Sequence, residues 1–229
     1  MKHSKRFEAL KGEFEPKKLY TPTEAIELVK KTSNTSFDGS VEIHANLGID
    51  VKKTDQQIRA TLVFPHSTGK SKRIAAFVPE VKQKEAKDAG ADVIGAEDLI
   101  DEVAKTGKIN FDIAIATPDM MPKLAKIAKI LGPKGIMPNP KTDTVGPNIT
   151  KMIEDLKKGK VAYKNDNTGN VHQAIGKTSL SNEQLLENFN TFVESIRKNK
   201  PSASKGTYVK SLTLASTMGP GIKIDTNSL

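Results

Sequence analysis

The residues of this chain that could bind a ligand or take part in a reaction are concentrated in segments rich in glycine, proline and hydroxyl groups. Residues 212–221 end in Ser216-Thr217-Met218-Gly219-Pro220-Gly221. Glycine allows a ligand to approach the backbone closely, and Ser and Thr hydroxyls can bond the 2′-hydroxyls that distinguish RNA from DNA. The segment therefore indicates contact with RNA, although a plain turn at the end of a strand would have the same composition.

Two other loops combine turn residues with groups that could contact a polyanion. The run Asn165-Asp166-Asn167-Thr168-Gly169 is typical of a tight turn first and of a contact loop second. Residues 132–147 contain four prolines and three glycines, which excludes regular structure. Lys134 and Lys141 could reach phosphates from this loop. A rigid buttress beside a hinge between domains explains the loop at least as well.

The patterns required for nucleotide binding and for catalysis are incomplete. Gly69-Lys70-Ser71 matches the end of a phosphate-binding P-loop, but Phe64 stands where the motif needs its first glycine. No glycine fingerprint for a dinucleotide follows the strand expected at 73–78, and no Gly-x-Ser-x-Gly motif is present. The sequence therefore predicts that the chain is not an enzyme.

Metal and thiol chemistry also lack support in the sequence. The absence of cysteine excludes disulfides, thiolate metal sites and cysteine nucleophiles. The histidines at positions 3, 44, 66 and 172 include no pair spaced i, i+4 on a helix, so we expect neither a metal site nor a cofactor. We interpret His44 and His172, each in an expected strand, as solvated surface or as RNA contacts.

Charge and hydropathy limit the class of partner. The 229 residues carry 36 Lys and Arg against 27 Asp and Glu, a net charge of +9, which favours a polyanionic partner. No run of 18 apolar residues occurs, and no apolar stretch follows the basic residues 1–6, so we expect no membrane span and no secretory signal. Aromatic residues make up 5% of the chain and tryptophan is absent, which argues against single-strand binding by base stacking.

The first and last parts of the chain have the pattern of half-buried strands and amphipathic helices. Thr21, Pro22 and Glu24 form the capping box of one helix, and Ser181 with Gln184 that of another. Residues 40–47 alternate between apolar and polar side chains, which predicts a strand, and residues 57–63 are expected to be its partner. Further strands are predicted at 160–164, 171–175, 209–214 and 222–224.

The middle of the chain has a different pattern. Apolar strands without alternation are predicted at 73–78, 93–94 and 111–117, and helices at 79–89, 96–105 and 118–131. Repeated strand–helix units of this kind indicate a parallel sheet covered on both faces. This part of the chain is expected to form a Rossmann-like, three-layer α/β domain.

The simplest account of this change of pattern is that one domain interrupts another. We therefore predict a mixed α/β (α+β) protein of two domains: a discontinuous split β-α-β domain of residues 1–66 and 159–229, and an inserted Rossmann-like domain of residues 67–158. The insert carries 16 basic and 13 acidic residues, and the rest of the chain 20 and 14. The discontinuous domain is thus the better candidate for polyanion binding.

These segments, in this order, resemble one family. Gly132–Lys141 (GPKGIMPNPK) with Thr144-Val145-Gly146 is similar to the signature of the ribosomal protein L-one family, in its bacterial type. Smaller matches extend from about residue 5 to residue 224: Phe37-Asp38, Val41-Glu42, Leu47-Gly48-Ile49-Asp50, Gly90-Ala91-Asp92, Ala116-Thr117-Pro118-Asp119, Asn165-Asp166 with Thr168-Gly169, Gly206-Thr207, and Thr217-Met218-Gly219-Pro220.

The resemblance implies a function. It implies a structural protein of the large ribosomal subunit that binds 23S rRNA at the mobile side stalk, contacts other subunit components, and is a monomer when free. It further implies a part in releasing deacylated tRNA from the exit site, and repression of its own operon through binding of the operon mRNA.

Carried over by position, the RNA-contact residues implied by the resemblance lie in three segments: Phe37, Ser40 and Glu42; Asp166, Thr168 and Gly169; and Ser211, Thr217, Met218 and Gly219. Ser36 and Asn167 stand where lysine is common, and Ser40 where threonine is common, which removes possible phosphate contacts. The carboxylates could accept hydrogen bonds from 2′-hydroxyls or base amino groups.

Two alternative functions remain open at this point. One is a nucleotide-binding enzyme that uses the insert, which the missing motifs disfavour, and the other is a generic cationic nucleic-acid chaperone.

Overall fold

A computed structural model describes residues 4–69 and 72–226 of the chain. The helices are α1 (Lys5–Lys11), α2 (Pro22–Lys31), α3 (Glu80–Asp88), α4 (Glu97–Thr106), α5 (Met121–Leu124), α6 (Ala128–Leu131), α7 (Ile149–Lys157) and α8 (Asn182–Lys198). The strands are β1 (Ser40–Leu47), β2 (Arg59–Val63), β3 (Ile74–Phe77), β4 (Val93–Gly95), β5 (Ile113–Ala116), β6 (Lys160–Lys164), β7 (Asn170–Lys177), β8 (Val209–Ser216) and β9 (Ile222–Ile224). The protein is mixed α/β, as predicted.

The chain divides into two compact units. The split unit consists of Met1–Gly69 and Val161–Leu229, and the inserted unit of Lys70–Lys160. The sequence placed these boundaries at 66/67 and 158/159. The assignment of RNA binding to the split unit remains a prediction.

The split unit is built on a four-stranded antiparallel sheet in the order β7-β1-β8-β9. Strand β1 has one buried side, as its alternating sequence predicts. Val41, Ile43 and Ala45 are fully buried, while the residues between them are partly exposed. Helices α2 and α8 pack against the buried face, where Phe189 and Phe192 of α8 enter the core. Both predicted capping boxes are present, at Thr21 with Glu24 and at Ser181 with Gln184.

The predicted pairing of residues 57–63 with β1 is wrong. Strand β2 pairs with β6 in a separate two-stranded sheet, and the neighbours of β1 are β7 and β8. Alternation shows that one face of a strand is buried, but it does not identify the strand that satisfies its hydrogen bonds. Here the partners are distant in sequence.

The inserted unit contains a three-stranded parallel sheet in the order β4-β3-β5. All four residues of β3 are buried, and successive side chains enter different cores. Ala75 and Phe77 belong to one cluster, and Ile74 and Ala76 to the other. Because both faces of the sheet are covered, the unit has the three layers that the non-alternating strands predict.

The predicted helix over 118–131 is not continuous. The segment alternates between single 3-10 turns, at Pro118–Met120 and Ala125–Ile127, and the short helices α5 and α6. Pro122 lies in the first turn of α5 and has no N–H for an α-helical bond to the preceding turn. The apolar periodicity is nevertheless satisfied, because Leu124, Ile127 and Leu131 are all fully buried.

Candidate RNA-binding surface

The sheet of the split unit has one face that is not directed into the core. Along β1 this face carries Glu42, His44 and Asn46, which alternate with the buried residues. We call this side of the sheet the polar face. The strand register places three rows of side chains on it. The first row is Ala174, Glu42 and Ala215, the second is His172, His44, Thr213 and Lys223, and the third is Asn170, Asn46 and Ser211.

At one end of the polar face, Thr217 joins the end of β8 to the start of β1. Its Oγ1 accepts a hydrogen bond from the Ser40 amide at 2.9 Å and donates to the Ser40 carbonyl at 3.3 Å. Its own amide donates to the same carbonyl at 3.0 Å. The hydroxyl expected to contact RNA is therefore engaged within the protein, and Ser40 is only 8% exposed.

Two large apolar side chains are exposed in the split unit near these strand ends. Met218 is 67% exposed and has a left-handed backbone with φ of 62°, while Phe37 is 57% exposed. Arg6 of α1 donates through Nη2 to the Met218 carbonyl at 3.1 Å and through Nη1 to the Asn34 carbonyl at 2.9 Å. The sequence identified the basic N-terminus but gave Arg6 no role, because these contacts span 28 and 212 residues.

Gly219 closes the turn in close contact with Ser216. The Gly219 amide donates to the Ser216 carbonyl at 2.9 Å, and a methyl group added at Gly219 would overlap the Ser216 Oγ. That hydroxyl is buried without a hydrogen-bond partner. The position requires glycine because the neighbouring side chain occupies the space of a Cβ atom.

Gly219→Ala is expected to lower the free energy of unfolding by about 1–2 kcal/mol through overpacking. Ser216→Ala removes the overlapping and unpartnered hydroxyl, so the double variant should recover most of the loss. Thermal unfolding of the wild type, both single variants and the double variant measures the coupling. Additive effects of the two substitutions would contradict this explanation.

At the other end of the polar face, Asp166 organises a tight turn. Its carboxylate accepts hydrogen bonds from the Thr168 hydroxyl at 2.7 Å and from the amides of Thr168 and Asn170 at 2.8 and 2.7 Å. The Thr168 hydroxyl and the Asn170 amide are the main groups that hold the pKa of the Asp166 carboxyl well below its usual range. Gly169 has φ of 80°, and its carbonyl accepts from Leu47 of β1 at 2.9 Å. This end therefore presents a fixed negative charge.

Two side-chain pairs connect β1 with β7 across the polar face. The Nδ1 atoms of His44 and His172 lie 2.8 Å apart, and Asn46 Nδ2 donates to Asn170 Oδ1 at 2.6 Å. Partial burial and the neighbouring His172 lower the pKa of His44, against the opposing effect of Glu42. Alternation placed His44 on this face, but the pairing depends on a register between residues 128 apart.

The ten predicted contact residues all belong to the split unit, but they do not form one cluster. Phe37, Ser40, Thr217, Met218 and Gly219 belong to the segments at one end of the sheet, and Asp166, Thr168 and Gly169 to the turn at the other. Glu42 and Ser211 lie on the polar face. Because the eight residues of β1 extend roughly 25 Å, the two ends are separated by most of that length.

The remaining candidate segments lie in the inserted unit or outside the described residues. The proline-rich loop is ordered against its own unit, since the Ala116 amide donates to Thr144 at 3.0 Å and the Gly146 amide donates to Ala116 at 3.2 Å. Lys70 and Ser71 of the P-loop-like run are outside the described residues. Within residues 4–69 and 72–226, no group of three or more His, Asp or Glu side chains could hold a metal.

An open polar sheet face with hydroxyl, amide and imidazole groups, next to exposed apolar side chains, suits a protein that binds a partner molecule. Residues 29–220 match the Ribosomal protein L1p/L10e family. Over 226 residues, 99% of both chains, the sequence is 48% identical to the large ribosomal subunit protein uL1 of Mesoplasma florum. The chain belongs to the ribosomal protein L1p/L10e family.

Family membership settles the broad class of function. The chain is a ribosomal protein and a structural constituent of the large subunit, which places it in the cytoplasm. It is not an enzyme, and the alternative of a nucleotide-binding enzyme is thereby excluded. In the described part of the chain, no helix has both the length and the apolar character needed to cross a membrane.

Proposed function

We propose that the polar face and the segments at its two ends bind large-subunit rRNA at the mobile side stalk. The observation that carries this proposal is the open face itself, which combines Asn, Thr, Ser and His side chains with few charges. Such groups suit recognition of a structured RNA by its shape and its 2′-hydroxyls. The cations of the split unit add attraction that depends on salt, with 20 basic against 14 acidic residues in 1–66 and 159–229.

The two ends of the polar face have different parts in this proposal. At the end that carries Met218, the exposed side chain and the Arg6 guanidinium offer an apolar contact and a cation together. At the other end, the Asp166 carboxylate can accept from base amino groups or 2′-hydroxyls but would repel phosphates. The RNA backbone is therefore expected to run closer to the Arg6 end.

We further propose finer functions, which rest on the family resemblance alone. The same surface would bind a segment of the protein's own operon mRNA that mimics the ribosomal site, and thereby repress translation of the operon. As part of the side stalk, the protein would also assist release of deacylated tRNA from the exit site. The free protein is proposed to be a monomer.

Crosslinking of the full chain to total cellular RNA tests this function directly. Ultraviolet crosslinking, followed by sequencing of the RNA and mass spectrometry of the peptides, should recover one segment of large-subunit rRNA and the leader of the operon mRNA. The crosslinked peptides should come from the split unit, above all from those that contain Met218. Crosslinks scattered over unrelated RNAs would support the generic chaperone instead.

A matched variant separates this surface from the proline-rich loop of the inserted unit. Lys134 and Lys141 are both exposed there. If the loop serves as a buttress, Lys134→Ala with Lys141→Ala should leave the crosslinked RNA segments and their yields unchanged. A loss of rRNA crosslinks in this double variant would mean that the inserted unit carries part of the recognition.

A further inference from the structure

Two imidazole rings of the split unit, those of His44 and His172, lie in direct contact with each other. His44 and His172 are direct partners in the antiparallel register of β1 and β7. Their Nδ1 atoms are 2.8 Å apart, their ring centroids are 5.0 Å apart, and the planes are inclined by 63°. Both rings lie on the polar face, and His172 is exposed to solvent. The two Nδ1 atoms are thus within hydrogen-bond distance of each other on the polar face.

The carboxylate of Asp166 lies near one of the two rings, that of His172. Its Oδ2 lies 3.6 Å from Nε2 of His172, whereas the contact of His172 with His44 is through Nδ1. Thr168 and Asn170 hold this carboxylate in place. A carboxylate beside Nε2 favours the tautomer with its proton on Nε2, which leaves the Nδ1 lone pair available. Carboxylates commonly support metal-ligating histidines in this way.

We propose that His44 and His172 together bind a transition-metal cation, represented by Zn²⁺, through their Nδ1 atoms. Neutral imidazole is a preferred ligand of such cations. Two nitrogens at zinc-ligand distance and a tetrahedral angle lie about 3.3 Å apart. The rings therefore have to separate by about 0.5 Å from their present positions. Small rotations of partly exposed side chains on a rigid strand pair supply this movement.

Binding requires that neither Nδ1 atom carries a proton. In the present pair one Nδ1 donates to the other, and the tautomers of the two rings decide which ring is the donor. When the cation binds, the proton of the donor ring moves from Nδ1 to Nε2 of the same ring, so that both Nδ1 lone pairs face the metal. Because no third protein ligand is available among the described residues, water fills the remaining positions. The pair is not evident in the sequence, because its two histidines are 128 residues apart and lack the i, i+4 spacing of a histidine pair on a helix.

Zinc titration of the full chain by isothermal calorimetry tests the proposal. His3 lies outside the described residues, so every sample carries His3→Gln to remove its imidazole. This background protein should bind one Zn²⁺ per chain. Addition of His44→Gln or of His172→Gln should weaken that binding by at least about tenfold, since each removes one of two ligands.

The matched control is His66→Gln in the same background. His66 is also in the split unit, but its Nε2 contacts Glu187 at 2.7 Å rather than another imidazole. Zinc binding should survive this substitution, and unfolding curves should show that all variants remain folded. Equal zinc binding in the His44→Gln variant, or an equal loss in His66→Gln, would overturn the proposal. Neither outcome bears on RNA binding, because no RNA is present.

Discussion

Replacement of Asn188 by leucine is expected to lower the free energy of unfolding of the split unit by about 3 kcal/mol. Asn188 lies on α8 and is 0% exposed. Its Nδ2 donates to the carbonyls of Ile175 at 2.7 Å and His66 at 3.1 Å, and its Oδ1 accepts from the His66 amide at 3.1 Å. Leucine has a similar size but would leave these backbone groups without their partner.

The three tyrosines of the chain allow this effect to be measured in one unit. Tyr20, Tyr163 and Tyr208 all belong to the split unit, and the chain has no tryptophan. Tyrosine fluorescence during urea unfolding therefore reports the split unit even if the inserted unit unfolds separately. Asn190→Leu on the same helix is the control, because Asn190 is exposed, and it should change the free energy by less than about 0.5 kcal/mol. Equal effects of the two substitutions would contradict the role of Asn188.

The features that the sequence predicted well are those determined by neighbouring residues. The capping boxes at Thr21 and Ser181 need only a spacing of three residues, and the buried side of β1 follows from a period of two. The parallel sheet of the inserted unit follows from strands that lack alternation. Each of these patterns is complete within one segment, so it does not depend on contacts with residues that are distant in the sequence.

The features that the sequence missed depend on contacts between distant residues. Asn188 interrupts an apolar helical face, and its partners at His66 and Ile175 are in other segments. Three other differences have the same origin. They are the wrong partner predicted for β1, the unforeseen pair of His44 with His172, and the hydrogen bonds of Thr217 to Ser40 within the protein. Strand register decides all three, and the sequence does not encode it locally. The candidate RNA residues came from a resemblance, and their arrangement at two ends of a sheet came from the fold.

Thr217 and Met218 are expected to affect RNA binding by different routes. Thr217→Ala removes the hydroxyl that bonds both backbone groups of Ser40, so it should weaken RNA binding by about 1–3 kcal/mol through displacement of the turn. Thr217→Ser keeps that hydroxyl and should retain most of the affinity. Loss of binding in both variants would indicate a role for the threonine methyl group instead.

Met218→Ala is expected to weaken specific RNA binding by a similar amount, about 1–3 kcal/mol, through loss of the side chain itself. The Met218 backbone is held by Arg6 at its carbonyl and by the bond between Gly219 and Ser216 that closes the turn. The exposed side chain thus projects from a backbone that is held in place. Truncation should leave the turn in place, because the side chain is not part of the core.

Met218→Gly distinguishes loss of this contact from a change in the turn. Glycine adopts the left-handed φ of 62° without the steric cost that alanine has there, so the glycine variant should be at least as stable as the alanine variant. If the side chain contacts RNA, gel-shift titrations at one fixed salt concentration should show the same loss of affinity in both variants. If Met218→Gly binds RNA with wild-type affinity, the Met218 side chain is not part of the RNA site. If Met218→Gly binds RNA more tightly than Met218→Ala does, the loss of affinity in the alanine variant is due to backbone conformation.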